Sequence, residues 1–229
     1  MKTKDLWFIL ALIAFFAPFF IFDQVYDTYK TINAEHGMMM SFVKFAILAT
    51  LGESIGLRIK AGKYNYKGFG LIPRAIVWGV LGVGIKASFI IFTAGGIALL
   101  SYFGIENAAL ILAGDLSWGK ILVAFTISAS MNLIFAPVFM TFHKITDTHI
   151  LNNGGSIAGF FKPINFKEIF PSLNWKVQWN FVFKKTIPFF WIPAHTITFC
   201  LPVEWQILFA AFLGIVLGVI LSIASRMSQ

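Results

Sequence analysis

The sequence is poor in charge. Charged residues make up 12% of its 229 residues, about half the share of roughly 25% that soluble domains carry. It has a single cysteine, Cys200, which excludes an intrachain disulfide framework. Disorder is excluded because hydrophobic residues reach 58%, with 27 Phe and 7 Trp, and such a chain buries itself. With a mean hydropathy of +0.80, the composition indicates an integral membrane protein.

Six apolar stretches are comparable to the ~20 residues that a helix needs to cross the hydrocarbon of a bilayer. We therefore predict an all-α integral membrane protein built as a bundle of about six transmembrane helices. The fifth stretch is short, and we expect it to extend upstream through Phe181–Phe183. The third is longer than the bilayer requires, so it should tilt or break near Gly95 and Gly96. The stretches are residues 6–22, 38–57, 75–103, 119–142, 187–201 and 203–225.

Basic residues in the gaps predict the orientation. If both termini are cytoplasmic, the inner face collects 14 of the 18 Lys and Arg, Arg74 among them, while the outer face holds only Lys30 and Lys120. This agrees with the positive-inside rule for six crossings. We expect a multi-pass protein of the cytoplasmic (plasma) membrane that attracts anionic lipids at its basic inner face. A nucleic-acid partner is not expected, because no soluble domain presents the basic residues.

Two regions stand apart from the core of the predicted bundle. Residues 1–37 resemble a retained signal anchor followed by an outer loop, with Pro18 expected to kink the span. Residues 38–229 form the predicted bundle. Within it, the inner-face loop 144–186 interleaves aromatic and basic residues, which favours an additional interfacial amphipathic helix.

Four polar residues inside the predicted spans are candidates for lining a pore or cavity: Glu53, Lys86, Asn132 and His195. Ionisable groups at membrane depth usually face a bundle interior or a water-filled path. A Glu53–Lys86 ion pair between neighbouring helices is one explanation, and it would serve either a cavity or packing alone. For Asn132 and His195, structural hydrogen bonds between helices are favoured over contact with a ligand or a pore.

Small residues and prolines suggest how the helices pack. Gly52-x-x-x-Gly56 and Gly214-x-x-x-Gly218 match the close-approach spacing of membrane helices. The full set of predicted packing residues is Gly52, Gly56, Gly82, Gly84, Pro137, Pro193, Pro202, Gly214 and Gly218.

Catalytic and metal-binding patterns are not found, so no enzyme activity, cofactor or metal is expected. His143 and His149 flank Asp147, a grouping that we interpret as a solvated helix end.

The C-terminal third resembles a known family. Trp191, Phe199 and Pro202 match the Trp-Pro, Asn-Phe and Val-Pro elements in the signature of the family named for Mpv-seventeen and the twenty-two-kilodalton peroxisomal membrane protein, with Pro202 one residue closer than in that signature. Leu221-Ser222 falls at the family's closing Leu-Ser. Further upstream matches are Gly52-Glu53, Arg74, Gly82, Gly84 and Asn132 with Phe135-Ala136-Pro137.

The polar identities of the signature differ while its frame is kept. The chain has His195 for the family's Gln, Thr198 for its Asn, Gln206 for its Arg and Leu217 for its Trp. This is typical of a divergent, bacterial branch. The resemblance implies a helical membrane protein, some of whose relatives are proposed as low-selectivity channels for small solutes or metabolites. The alternative is a non-transporting membrane scaffold that recruits partner proteins. A homo-oligomer is compatible with both functions.

Overall fold

The computed structural model describes residues 3–227, which are helical throughout with short connections and no strand. The side chains of residues 221 and 224–227 also lie outside the description. The helices are α1 (Thr3–Phe16), α2 (Pro18–Ile21), α3 (Asp23–Glu35), α4 (Gly37–Ala61), α5 (Leu71–Tyr102), α6 (Ala108–Ala113), α7 (Trp118–Asn152), α8 (Ile157–Phe160), α9 (Phe166–Ser172), α10 (Trp175–Val177), a π-helix (Gln178–Trp191), α11 (Ile192–Cys200) and α12 (Val203–Met227).

Four of these helices are long and apolar enough to cross a membrane. They are α4, α5, α7 and the segment Val203–Ile220 of α12. The helical class and the membrane character predicted from composition are therefore confirmed, while six crossings are not.

The first predicted span is divided into two helices. α1 ends at Phe16, and Pro18 begins the four-residue α2, because a proline ring clashes with the preceding turn of a continuing helix. Ala17 between the two helices keeps a helical backbone, with φ −53° and ψ −40°, so the kink predicted at Pro18 stays a prediction. Within the described residues, 3–40 form a compact unit of their own and 41–227 form the second.

The predicted fifth span lies in a continuous helical segment that starts further upstream. α10, the π-helix and α11 follow one another without a break from Trp175 to Cys200, with helical backbone angles at Gln178, Trp191 and Ile192. Fourteen residues of π-helix are unusual, since such i→i+5 turns mostly occur singly.

The third predicted span does not break at Gly95 and Gly96. α5 runs unbroken for 32 residues, or roughly 48 Å at 1.5 Å per residue. An added Cβ at Gly96 would lie 2.7 Å from Ile127 Cγ1, so this glycine allows α5 and α7 to approach closely. Of the two alternatives, tilt and break, the break is not present, and Gly96 serves the packing of α5 against α7.

Glycines also allow α4 to pack closely on two neighbours. An added Cβ at Gly82 of α5 would lie 2.7 Å from the Ser41 carbonyl oxygen, and one at Gly52 would lie 3.0 Å from Ile215 Cα of α12. Gly56 faces Ser222 on the same side of α4, and Gly218 faces the Gly52 carbonyl oxygen. Among the described residues, added Cβ atoms at Gly84 and Gly214 would meet nothing within 4 Å, so the close packing expected of these two glycines is not seen there.

The predicted loop 144–186 is largely helical. Its first residues complete α7, and the rest contains α8, α9, α10 and the start of the π-helix. Ile169 and Leu173 are buried against Ile145 of α7, so α9 packs on the bundle through its apolar side. One continuous amphipathic helix is not formed.

The predicted cytoplasmic position of both termini rests in part on Lys2 and Arg226. Lys2 lies outside the described residues, as does the side chain of Arg226.

Candidate functional site

A cavity of about 550 Å³ lies among α4, α5, α7, α11 and α12, next to the end of the π-helix. It follows α4 from Lys60 to Phe45, roughly 22 Å of helix. Its volume falls within the range of ~300–1,000 Å³ that small-molecule sites occupy. Three of the four predicted lining residues, Glu53, Asn132 and His195, do line it.

One end of the cavity is ionic, and we call it the charged end: Glu53, Arg74, Trp78, His143 and Asp147. Arg74 Nη1 lies 2.5 Å from Glu53 Oε2 and also pairs with Asp147 Oδ1. Trp78 Nε1 donates to Glu53 Oε1 at 2.8 Å, and His143 Nε2 lies 3.4 Å from the same oxygen. One nitrogen of the Arg74 guanidinium, Nη1, therefore contacts carboxylates from two different helices, α4 and α7.

The start of α5 positions Arg74. Gly70 precedes the helix with φ +75°, and a Cβ there would lie 2.5 Å from Ile150 Cγ2, so the tight entry requires glycine. Arg74 Nε donates to the Phe69 carbonyl at 2.7 Å, and the guanidinium lies 4.5 Å from the centre of the Phe69 ring. The side chain is only 8% exposed. Arg74, expected on the inner face as an orienting charge, is instead buried as an ion-pair partner.

Helical spacing brings the charged end together. Arg74 and Trp78 are four residues apart on α5, as are His143 and Asp147 on α7, and side chains at this spacing share a helix face. The rings of Trp78 and His143 lie 4.4 Å apart. Since the Asp147 side chain is 13% exposed, the solvated helix end expected here is wrong. The i, i+4 spacing of His143 and Asp147 was the signal that could have revealed it.

His149 is also buried, at 3% exposure. Its Nε2 lies 3.1 Å from the carbonyl oxygen of Phe160, and its Nδ1 lies 3.3 Å from Asn153 Nδ2. It therefore ties the end of α7 to α8 and does not belong to the cavity.

The expected pair of Glu53 with Lys86 is not formed. The described partners of Glu53 are Arg74, Trp78 and His143, and Lys86 does not line the cavity. Lys86 lies near Lys44, close enough for the two charges to interact. The expectation is wrong because α5 begins at Leu71, which places Arg74 inside the first turn of the helix and within reach of Glu53.

The other end of the cavity is lined by Asn132, Trp191 and His195. Together with Ser128, which is hydrogen-bonded to Asn132, we call these residues the neutral end. Asn132 Nδ2 donates to the Ser128 carbonyl at 2.9 Å, and Nδ2 and Oδ1 lie 3.0 and 3.2 Å from His195 Nδ1. Ser128 Oγ donates to the Ile192 carbonyl at 2.7 Å. These bonds join α7 to α11, and they satisfy polar groups that would otherwise be costly in an apolar interior.

Trp191 covers this end with its ring. The ring stacks on His195 with centres 5.1 Å apart, while its buried Nε1 has no hydrogen-bond partner among the described residues. Both described hydrogen bonds of His195 use Nδ1, so its Nε2 makes none of them. Beyond this end, Phe89 lies 5.7 Å from the His195 ring and 4.8 Å from the Phe199 ring.

Prolines border the site without breaking its helices. Pro137 lies inside α7, where its carbonyl accepts from Thr141 Oγ1 at 2.7 Å. Pro193 occupies the first turn of α11, and Pro202 follows the end of that helix. Gly214 lines the cavity.

Comparisons with known proteins add no relative: no protein-family model, no curated protein and no solved structure matches the chain. Within residues 3–227, no group of three or more His, Cys, Asp and Glu side chains is placed to hold a metal ion. The geometry of the cavity is therefore the basis for a functional proposal.

Proposed function

We propose that the protein passes small solutes across a membrane through this cavity, as a channel of low selectivity. The observation that carries the proposal is the convergence of Glu53, Asn132 and His195 on one cavity that spans much of the bundle. Ionisable groups held at membrane depth are costly and mark solute paths in membrane proteins. A family relationship to the Mpv-seventeen proteins, which the sequence resembles, agrees with this proposal.

The geometry supports an open vestibule followed by a constriction. Lys60 is exposed and the Lys144 side chain is 50% exposed, and both line the cavity, so the charged end communicates with its surroundings. At the other end Phe45, Phe89 and Phe199 are buried, each at 4% exposure or less. An aromatic constriction of this kind closes a path by excluding water, and we propose that it forms the gate.

The number of membrane crossings and their orientation are part of the same proposal. We propose six crossings, with α1–α2 and the 175–200 segment added to the four apolar helices, in the cytoplasmic membrane with both termini inside. The charged end then faces the cytoplasm together with the basic connections 62–70 and 153–174, where anionic lipid and the short helices of the 153–177 region would meet.

Conductance in planar bilayers tests the function, with Glu53→Gln and Lys86→Met as a matched pair. Glu53→Gln keeps a hydrogen-bonding side chain but removes a negative charge from the cavity wall, so the preference for anions over cations should rise several-fold. Lys86→Met removes an intramembrane charge outside the cavity and should leave the preference unchanged. Equal effects of the two substitutions would contradict a path through this cavity.

The alternative, a membrane scaffold, draws support from the closed ion network of the charged end. If folded and inserted protein shows neither conductance nor solute flux from loaded vesicles, the channel is overturned. Capture of partner proteins through the 153–177 region is then the next measurement.

A further inference from the structure

We infer that the cavity binds an amphipathic organic anion, a single apolar chain that carries one anionic head group. The inference rests on the cavity used in the proposed function and names the class of solute that occupies it. It follows from the distribution of charge and apolar surface along the cavity.

The charged side chains on the wall leave one positive charge. Lys60, Arg74 and Lys144 supply three positive charges and Glu53 and Asp147 supply two negative ones, so three minus two leaves one with His143 neutral. Both carboxylates pair with Arg74, and Asp147 also accepts from Lys144 Nζ at 3.0 Å. Lys60 therefore carries the excess charge, at the exposed mouth, where an anionic head group would remain partly hydrated.

The middle of the cavity is apolar. Phe135, Phe139, Met131, Met140 and Leu217 line it, together with Ala136 and Ala210. A strongly hydrated inorganic ion gains little from such a wall, whereas each methylene transferred to it is worth about 0.8 kcal/mol. The deep limit is polar, yet Asn132 and His195 bond to each other, which reduces the cost of an apolar chain end beside them.

Gly214 is a position at which a larger side chain would fill part of the cavity. It lines the cavity, and an added Cβ there would meet no atom within 4 Å. Gly84 has equally open surroundings but does not line the cavity. Substituting leucine at each position therefore changes the two helices alike and occupies the cavity in only one case.

Binding is measured with the full chain in nanodiscs of zwitterionic lipid. The probe is decanoate brominated at its chain end, which quenches tryptophan fluorescence, and ω-bromodecanol is the uncharged comparison. We expect saturable quenching by the acid, at least tenfold weaker apparent binding of the alcohol, and loss of acid binding in Gly214→Leu but not in Gly84→Leu.

The role of Lys60 at the mouth of the cavity is tested by substituting it and, as a control, the neighbouring Lys63. Lys60→Met should weaken binding of the acid about tenfold, equivalent to about 1.4 kcal/mol, and Lys63→Met, three residues away in the exposed loop, should not. Equal binding of acid and alcohol, or quenching unaffected by Gly214→Leu, would overturn the inference.

Two further measurements complete the test. One identifies whether the ligand comes from the bilayer or from solution, and the other distinguishes this inference from the proposed channel. Competition by a single-chain anionic lysolipid added to the nanodisc assigns the occupant to the bilayer, and competition only by decyl phosphate from solution assigns it to soluble anions. Conductance without probe binding retains the channel and overturns this inference. Probe binding without conductance or flux retains the binding site and overturns the channel.

Discussion

The two ends of the cavity hold their polar groups in opposite ways. At the charged end, Arg74 bridges two carboxylates that lie on different helices, so its loss leaves two buried charges without their main partner. At the neutral end, Asn132 and His195 are uncharged partners that can be removed together. The same cavity should therefore contain one polar network whose substitution lowers stability strongly and one whose substitution lowers it little.

The largest expected effect is that of Arg74→Met. Removing one partner of a buried ion pair costs ~3–5 kcal/mol, and here Glu53 and Asp147 both lose Arg74, although Asp147 keeps Lys144. Thermal unfolding in detergent measures the loss of stability. Lys144→Met, which removes a half-exposed cation from Asp147, should cost at most about 1 kcal/mol, and an equal loss in both variants would contradict the central role of Arg74.

Glu53→Leu removes one carboxylate from the charged end and should lower the free energy of unfolding by less than Arg74→Met does. Arg74 retains Asp147 and the Phe69 carbonyl, so the cation keeps an acceptor when Glu53 is removed. Chemical denaturation of the two variants side by side measures the order. The opposite order would mean that Glu53 stabilises the bundle chiefly through Trp78 and His143.

Alanine substitutions at two glycines of α5 measure how much the close packing of the helices around the cavity contributes to stability. Gly82→Ala forces a Cβ within 2.6 Å of Phe45 Cβ and 2.7 Å of a backbone oxygen, and overpacking of this kind costs ~1–3 kcal/mol. Gly84→Ala meets open space and should change the unfolding free energy by less than about 0.5 kcal/mol. A comparable loss at Gly84 would indicate a contact outside the described bundle, such as a second copy of the chain.

The smallest effect is expected at the neutral end. Asn132→Leu should cost about 1 kcal/mol, since hydrogen bonds between membrane helices average ~0.6 and reach ~1.7 kcal/mol. The double variant Asn132→Leu, His195→Leu should be less destabilised than the sum of the two single variants, because replacing both partners by apolar groups can be nearly neutral. A double-mutant cycle measures this difference, and strict additivity would contradict the coupling.

The sequence was sufficient for the helical class and for the four apolar helices, because both depend on local composition. It was insufficient for the partner of Glu53. That assignment depends on where α5 begins, and a difference of a few residues, from 75 to Leu71, moves Arg74 from a connection into the helix.

The two polar ends show the same limit. Glu53, Asn132 and His195 could each be selected as polar groups at membrane depth, yet their convergence is a property of tertiary packing. His143 and Asp147 are grouped with His149 in the sequence, but His149 faces α8, and only the i, i+4 spacing of the other two indicates that they share the cavity. The π-helix leaves no trace in hydropathy, which does not report hydrogen-bond register.

The π-helix should influence where insertions and deletions are tolerated in this chain and its homologues. An i→i+5 turn contains one more residue than an α-turn, so loss of one residue between Gln178 and Trp191 can be absorbed when a wide turn tightens. A deletion between Ser128 and Asn132 would instead rotate the remainder of α7 by about 100° and separate the asparagine from His195. Insertions and deletions among homologous chains should therefore accumulate in 178–191, while the spacing of the polar residues on α7 stays constant.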